Sequence, residues 1–220
     1  MMKKLLSVLL AFALLLSFVT PAFAYKGAET ANTPAQAEEA HDPAACNVTP
    51  VVLVRGMDVM GLYIDKDTEN ERNALNFSIK DLLFMLCKGI YGAVKEKNFD
   101  PFVQAVIDYA AKLLDGYAMK ENGTSKYNIS VDQYPESAEN HPEIWEDYDS
   151  EGERGMARAC AENLPADHTF FFTYDWRSDP YAVADEIAAT VDRAIAKSGH
   201  KKVTIVCASM GGIMTVAYLS

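Results

Sequence analysis

The clearest chemical signal in this chain is a serine set among small residues close to its end, in the stretch Lys202–Gly212, KVTIVCASMGG. Val203, Thr204, Ile205 and Val206 form a β-branched run suited to a strand buried on both faces of a parallel sheet. Cys207, Ala208, Ser209, Met210 and Gly211 follow as a turn of mostly small residues, and Gly212, Ile213, Met214, Val216, Ala217 and Leu219 begin an apolar helix. Strand, serine, helix is the order of a nucleophile elbow, in which a strained turn lifts a serine hydroxyl above the sheet. The residues two before and two after it must be small to avoid a clash between strand and helix. The usual pattern is G-x-S-x-G. Here Cys207 replaces the first glycine, and Gly211 supplies the second. The competing reading is a buried strand and a glycine-bearing turn, with Ser209 as a helix N-cap.

A serine acting on an ester also needs two N–H donors for the developing oxyanion. One comes from the residue after the nucleophile and one from the loop after an early strand. Val51–Val54 is such a strand, wholly apolar and followed by the turn Arg55, Gly56, Met57. The candidate donors are therefore the amides of Met57 and Met210. A third strand, Thr169–Thr173, leads into Tyr174, Asp175, Trp176 and Arg177. Asp179 and Pro180 then open a helix with Val183, Ile187, Val191, Ala194 and Ile195 on one face and Gly199 as its stop. A parallel crossover puts the strands at 169 and 203 in one sheet with this helix on a face.

Between Asp58 and Asp167 the periodicity is helical and interrupted by polar loops. Asp81–Lys95 carries Leu82, Leu83, Leu86, Ile90 and Val94 at helical spacing, with Gly89 and Gly92 weakening its second half. Asp100–Pro101 starts a second helix with Val103, Val106, Ile107, Ala110, Leu113 and Leu114 on one face, ended by Gly116. Residues 121–154 read as loop. An insertion of this length exceeds a simple crossover and suits either a cap over a site or a helical layer on the sheet.

Pro50–Gly56 (PVVLVRG), Phe172–Arg177 (FTYDWR) and Val203–Gly212 (VTIVCASMGG), in this order, resemble the α/β-hydrolase family that includes lecithin:cholesterol acyltransferase and related bacterial lipases. The resemblance covers Pro50–Ser220, with the middle poorly matched. It implies a mostly parallel sheet with helices on both faces, a serine nucleophile at Ser209, oxyanion donors near Met57 and Met210, and acyl-ester substrates, often lipids. The chain departs from that pattern at Cys207, and at Arg55, where such families carry proline or histidine. The family orders its triad serine, acid, histidine, and no Asp, Glu or His follows Ser209. The expectation is thus the N-terminal portion of a larger serine acyl-ester hydrolase or acyltransferase, truncated after the elbow. Lacking a base, this portion is inactive or nearly so, with residual catalysis on the order of 10⁶-fold below an intact site. The alternative is a secreted pseudohydrolase that binds a lipid or protein partner through the apolar insertion.

Composition sets the boundaries of these readings. Lys3 and Lys4, the apolar run Leu5–Val19 and the small residues ending in Ala22, Phe23, Ala24 form a bacterial-type secretory signal peptide over residues 1–24. Its removal takes away two lysines and no acid, so the formal net charge falls from −11 to −13. A chain this acidic repels phosphate backbones and anionic membrane surfaces, which argues against nucleic-acid binding. No stable membrane span is expected, because the apolar run is too short and has a cleavage site at its end. Residues 25–48 read as an exposed lead-in, and the hydrolase-like portion as 49–220, with the insertion at about 58–167. The spacing of Gly56 and Gly61 excludes a dinucleotide-binding G-x-G-x-x-G. The N-x-S/T triplets at Asn47, Asn76, Asn122 and Asn128 are discounted with a bacterial signal peptide.

Four cysteines, Cys46, Cys87, Cys160 and Cys207, enter an oxidising compartment, where three complete pairings are possible. Cys46–Cys160 is preferred, since each lies ahead of an expected strand, and Cys207 is expected to be a packed thiol. No cysteine shows metal-site spacing, and His41, His141, His168 and His200 are scattered through polar segments as expected surface residues. No metal or organic cofactor is implied. The signal-peptide reading predicts that the secreted product begins at Tyr25, which N-terminal sequencing checks; a product retaining Leu5–Val19 would contradict it.

Overall fold

The computed structural model describes residues 46–141, 144 and 163–220. The expected signal peptide, nearly all of the lead-in and Cys160 lie outside them. In chain order the elements are β1 (Val51–Val54), β2 (Tyr63–Ile64), β3 (Arg72–Asn73), α1 (Ile79–Glu96), α2 (Asp100–Leu114), β4 (Ile129–Ser130), β5 (Thr169–Phe172), α3 (Pro180–Ser198), β6 (Thr204–Cys207) and α4 (Gly211–Leu219). They fall into two compact units, Leu62–Ser130 in one and residues 46–61 with Val131–Ser220 in the other.

The second unit is built on a three-stranded parallel sheet in the order β5-β1-β6. Val51 pairs with Thr169 on one side and Thr204 on the other, and the register continues to Val54 between Phe172 and Cys207. The apolar run of β1 is explained by this position, since every one of its residues is buried. Its side chains alternate between two cores, as a strand must. Val52 and Val54 join Phe170, Phe172, Val183, Ile187, Val191 and Met214 on one face. Val51 and Leu53 join Phe171, Tyr134, Ala138 and Ile144 on the other.

One expectation changes here. The elbow strand β6, expected to be buried on both faces, lies at an edge among the described residues, with Thr204 and Cys207 exposed. On the first face α3 packs with Met214 of α4, while the second is covered by Tyr134, Ala138 and the helical residue Ile144. The coarser expectation stands, a mixed α/β unit with a parallel sheet and helices.

Helix α3 has the signals read for it. The Asp179 side chain accepts a hydrogen bond from Tyr181 N at 2.8 Å, Pro180 occupies the first turn, and Gly199 closes the helix at φ 69°. Its apolar stripe buries Val183, Ile187, Val191 and Ala194.

In the other unit, short antiparallel strands run in the order β3-β2-β4, and α1 and α2 form a helical hairpin around Met85, Ala105, Tyr109 and Leu113. Gly89 and Gly92 do not interrupt α1. They let α2 approach it: a Cβ at Gly89 would stand 2.7 Å from the Phe102 ring, and one at Gly92 2.6 Å from Pro101 Cβ. Ile79, Leu83, Phe84, Ile90, Tyr91 and Val94 of α1 remain exposed. Among the described residues no helix is long and apolar enough to cross a membrane.

Ile187 is fully buried beneath the sheet, so Ile187→Ala is expected to cost about 2–5 kcal/mol of folding free energy through lost burial and the cavity left behind. Urea unfolding followed by circular dichroism measures it.

Candidate active site

The C-terminal edge of the parallel sheet gathers three loops: residues 55–61 after β1, 173–178 after β5, and 208–210 after β6. In an open parallel sheet this is the edge where ligands bind. Ala208 N donates to Val54 O at 3.1 Å, which continues the β1–β6 ladder one step past β6. The chain then turns at once. Ser209 has φ 46°, the left-handed region that a non-glycine residue enters at a cost of roughly 1–3 kcal/mol. Gly211 N donates to Ala208 O at 2.7 Å and Gly212 N to Ser209 O at 3.0 Å, and α4 begins at Gly211.

This geometry separates the two readings of the serine. The N-cap residue of α4 is Met210, in helical conformation and with no side-chain capping bond, so Ser209 is not the cap. It is an exposed residue held in a left-handed turn between strand and helix. The Met210 amide lies at the start of α4, where backbone N–H groups have no acceptor within the helix and carry its positive dipole end. Met57 lies in the loop after β1 and is 48% exposed.

The small-residue requirement falls unequally on the two sides of the serine. A Cβ at Gly211 would stand 2.5 Å from Arg55 O and 2.6 Å from Val54 O, so only glycine fits there. Position 207 is roomier. Cys207 is an exposed free thiol, not the packed one expected, and its sulfur meets Gly212 only at ordinary contact, 3.9 Å from a Cβ built there.

The neighbouring loops are fastened by ion pairs. Arg55, where the resembled families carry proline or histidine, is buried; its Nη2 lies 2.7 Å from Asp58 Oδ2, and its amide donates to Phe172 O at 3.2 Å. Asp58 Oδ1 also accepts from Met60 N at 3.0 Å. In the Tyr174–Arg177 stretch, Arg177 grips Asp175 through Nε to Oδ1 at 2.9 Å and Nη2 to Oδ2 at 2.6 Å, and its backbone amide donates to Oδ1 at 3.0 Å. That two-pronged contact fixes the turn ahead of α3. The Asp175–Arg177 spacing was visible in the sequence, but the Arg55–Asp58 pair carried no pattern that marks it.

Neither His168 nor His200 serves Ser209. His168 immediately precedes β5 and His200 precedes β6, so both stand at the N-terminal edge, a strand length of about 13 Å from the serine loop. They are not the surface residues expected: His168 is 1% exposed and His200 half-buried. His141 is half-buried too, packed edge-on against Tyr134 at 5.5 Å. A cavity of about 280 Å³ opens elsewhere, lined by Tyr134, Phe171, Thr173, Glu186, Thr190 and Arg193 and not by Ser209. Desolvation raises the Glu186 carboxyl above the usual glutamate range.

No family model, no curated protein and no solved structure matches this chain.

The elbow geometry predicts opposite responses at adjacent glycines. Gly211→Ala forces α4 away from β1 and is expected to lose about 1–3 kcal/mol. Gly212→Ala meets only the Cys207 sulfur, at an ordinary 3.9 Å, and gains helix propensity, so it is expected to be neutral or stabilising by about 0.5–1 kcal/mol. Thermal unfolding of the two variants side by side reads the contrast.

Proposed function

We propose that this chain is the nucleophile-bearing portion of a secreted α/β-hydrolase, a serine acyl-ester hydrolase or acyltransferase acting on ester or lipid substrates. The observation that carries the reading is the left-handed backbone of Ser209 at a strand-to-helix turn, on the C-terminal edge of a parallel sheet, with a glycine two residues on that has no room for a Cβ. The turn that seats α4 against the sheet leaves Ser209 exposed at its apex, which suits a hydroxyl presented to a substrate.

In the proposed reaction Ser209 Oγ attacks the ester carbonyl carbon and its proton passes to a general base. The carbonyl oxygen takes up negative charge, held by the amides of Met57 and Met210. Collapse expels the alcohol, which takes a proton, and leaves an acyl group on Ser209. Water or a second alcohol then attacks the acyl carbon and frees the serine. By the family's order the base and its acid partner follow the elbow in sequence.

Treatment of the intact secreted product with a fluorophosphonate tests this. One covalent label per chain, lost in Ser209→Ala, is the expected outcome. A folded product that takes no label overturns catalysis and favours the second reading, a non-catalytic binder of a lipid or protein. That reading draws on the exposed apolar residues of α1, Leu83, Phe84, Tyr91 and Val94 among them.

A further inference from the structure

The N-terminal edge of the same sheet holds a second constellation. Cys46, five residues ahead of β1, His168, immediately ahead of β5, and His200, four residues ahead of β6, bring one donor atom each to within 4.8 Å of one another. Cys46 Sγ and His168 Nε2 are already 3.6 Å apart, and the two imidazoles meet edge to face at 5.6 Å between centroids. Tetrahedral zinc, with bonds of about 2.0–2.3 Å, sets its ligand atoms about 3.5 Å apart, so the donors stand within roughly 1 Å of the spacing it needs.

The surroundings are those of a ligand set. The carboxylate of Asp167 lies 2.9 Å from His168 Nδ1. That contact holds the proton on Nδ1 and leaves the Nε2 lone pair facing Cys46, the carboxylate–histidine arrangement that orients metal-bound imidazoles. Val48 holds the sulfur from both sides, its amide donating to Cys46 Sγ at 3.3 Å and its carbonyl accepting from the Cys46 thiol at 3.7 Å. His168 is 1% exposed, so the centre is shielded, while half-buried Cys46 and His200 leave a path for an ion to enter.

We propose that Cys46, His168 and His200 bind one Zn²⁺. A thiolate with two neutral imidazoles suits zinc among common divalent ions and suits magnesium or calcium poorly. Binding converts the Cys46 thiol to a zinc-bound thiolate and releases its proton to solvent, and the fourth position takes water. Because the ligands precede three different strands, the ion ties together the N-terminal ends of β1, β5 and β6. Zinc binding therefore adds to the stability of this unit, by linkage to the folded state. The site stands apart from Ser209 and does not depend on the hydrolase reading.

The test uses the mature chain, stripped of metal, reduced and exposed to ZnCl₂ or CoCl₂ alone. One equivalent of zinc is expected to remain after gel filtration, with a melting temperature several degrees higher than that of the metal-free protein. Cobalt is expected to give a thiolate charge-transfer band and tetrahedral visible bands. Cys46→Ser and His200→Ala should each abolish stoichiometric binding. Asp167→Asn, which touches no metal, should weaken zinc about 10–100-fold while keeping one equivalent at saturation. Absence of a cobalt–thiolate band in the wild-type chain overturns the site whatever the variants do, as does zinc retained by Cys46→Ser. Recovery of Cys46 in a disulfide with Cys160 from protein secreted in zinc-containing medium would equally overturn it.

Discussion

The close approach of residue 211 to the end of β1 is the constraint on which the serine turn depends. The carbonyls of Val54 and Arg55 occupy the space that a side chain at 211 would need. A glycine there lets the chain leave β6, turn within three residues, and start α4 directly against the sheet. Met214 and Thr215 are thereby buried, and Met214 joins the core that β1, β5 and α3 already share. The positive φ of Ser209 belongs to the same arrangement. A relaxed serine would send α4 off in another direction and take Met214 out of the core, so burial of the helix offsets the cost of the turn.

Much of this edge was legible from sequence because it is local. The β-branched runs of β1 and β6, the aromatic strand β5 and the capped helix α3 appear within two residues of where they were read, each announced by its own residues or an adjacent cap. The serine turn was likewise compressed into five consecutive positions. Arrangements set by distant partners were less legible. Nothing in Val203–Val206 tells a central strand from an edge strand, since that depends on which strands lie beside it. Gly89 and Gly92 read as helix weakeners because propensity is a property of one helix, whereas their use is to admit Phe102 and Pro101 of the next. Cys46, His168 and His200 were missed for the same reason. Spacing rules for metal sites assume ligands on one motif, and these three converge only once three separate strands are aligned.

Parallel strands sort such residues automatically. Whatever follows the strands gathers at one edge, and whatever precedes them gathers at the other. In this unit the following residues are Arg55–Asp58, Thr173–Arg177 and Ser209, with paired charges and a strained hydroxyl. The preceding ones are Cys46, His168 and His200, all soft or borderline donors, with Asp167 behind one of them. The two edges have different chemistry, yet they share a single register.

That shared register gives the N-terminal cluster a consequence for the serine. Strand β6 pairs with β1 alone among the described strands, through four residues from Thr204 to Cys207, and both its end residues are exposed. A short strand paired on one side is the element of the sheet most open to a slip, and a slip of one residue would send its side chains to the opposite face. It would also move Ala208 off Val54 O and displace Gly211 from the only gap that admits it. Two features oppose this: α4, anchored through Met214 at the far end, and His200, which an ion shared with Cys46 and His168 would anchor at the near end. With both in place β6 is held from either end, and the left-handed serine keeps its position over the sheet through constraints none of which touches its hydroxyl.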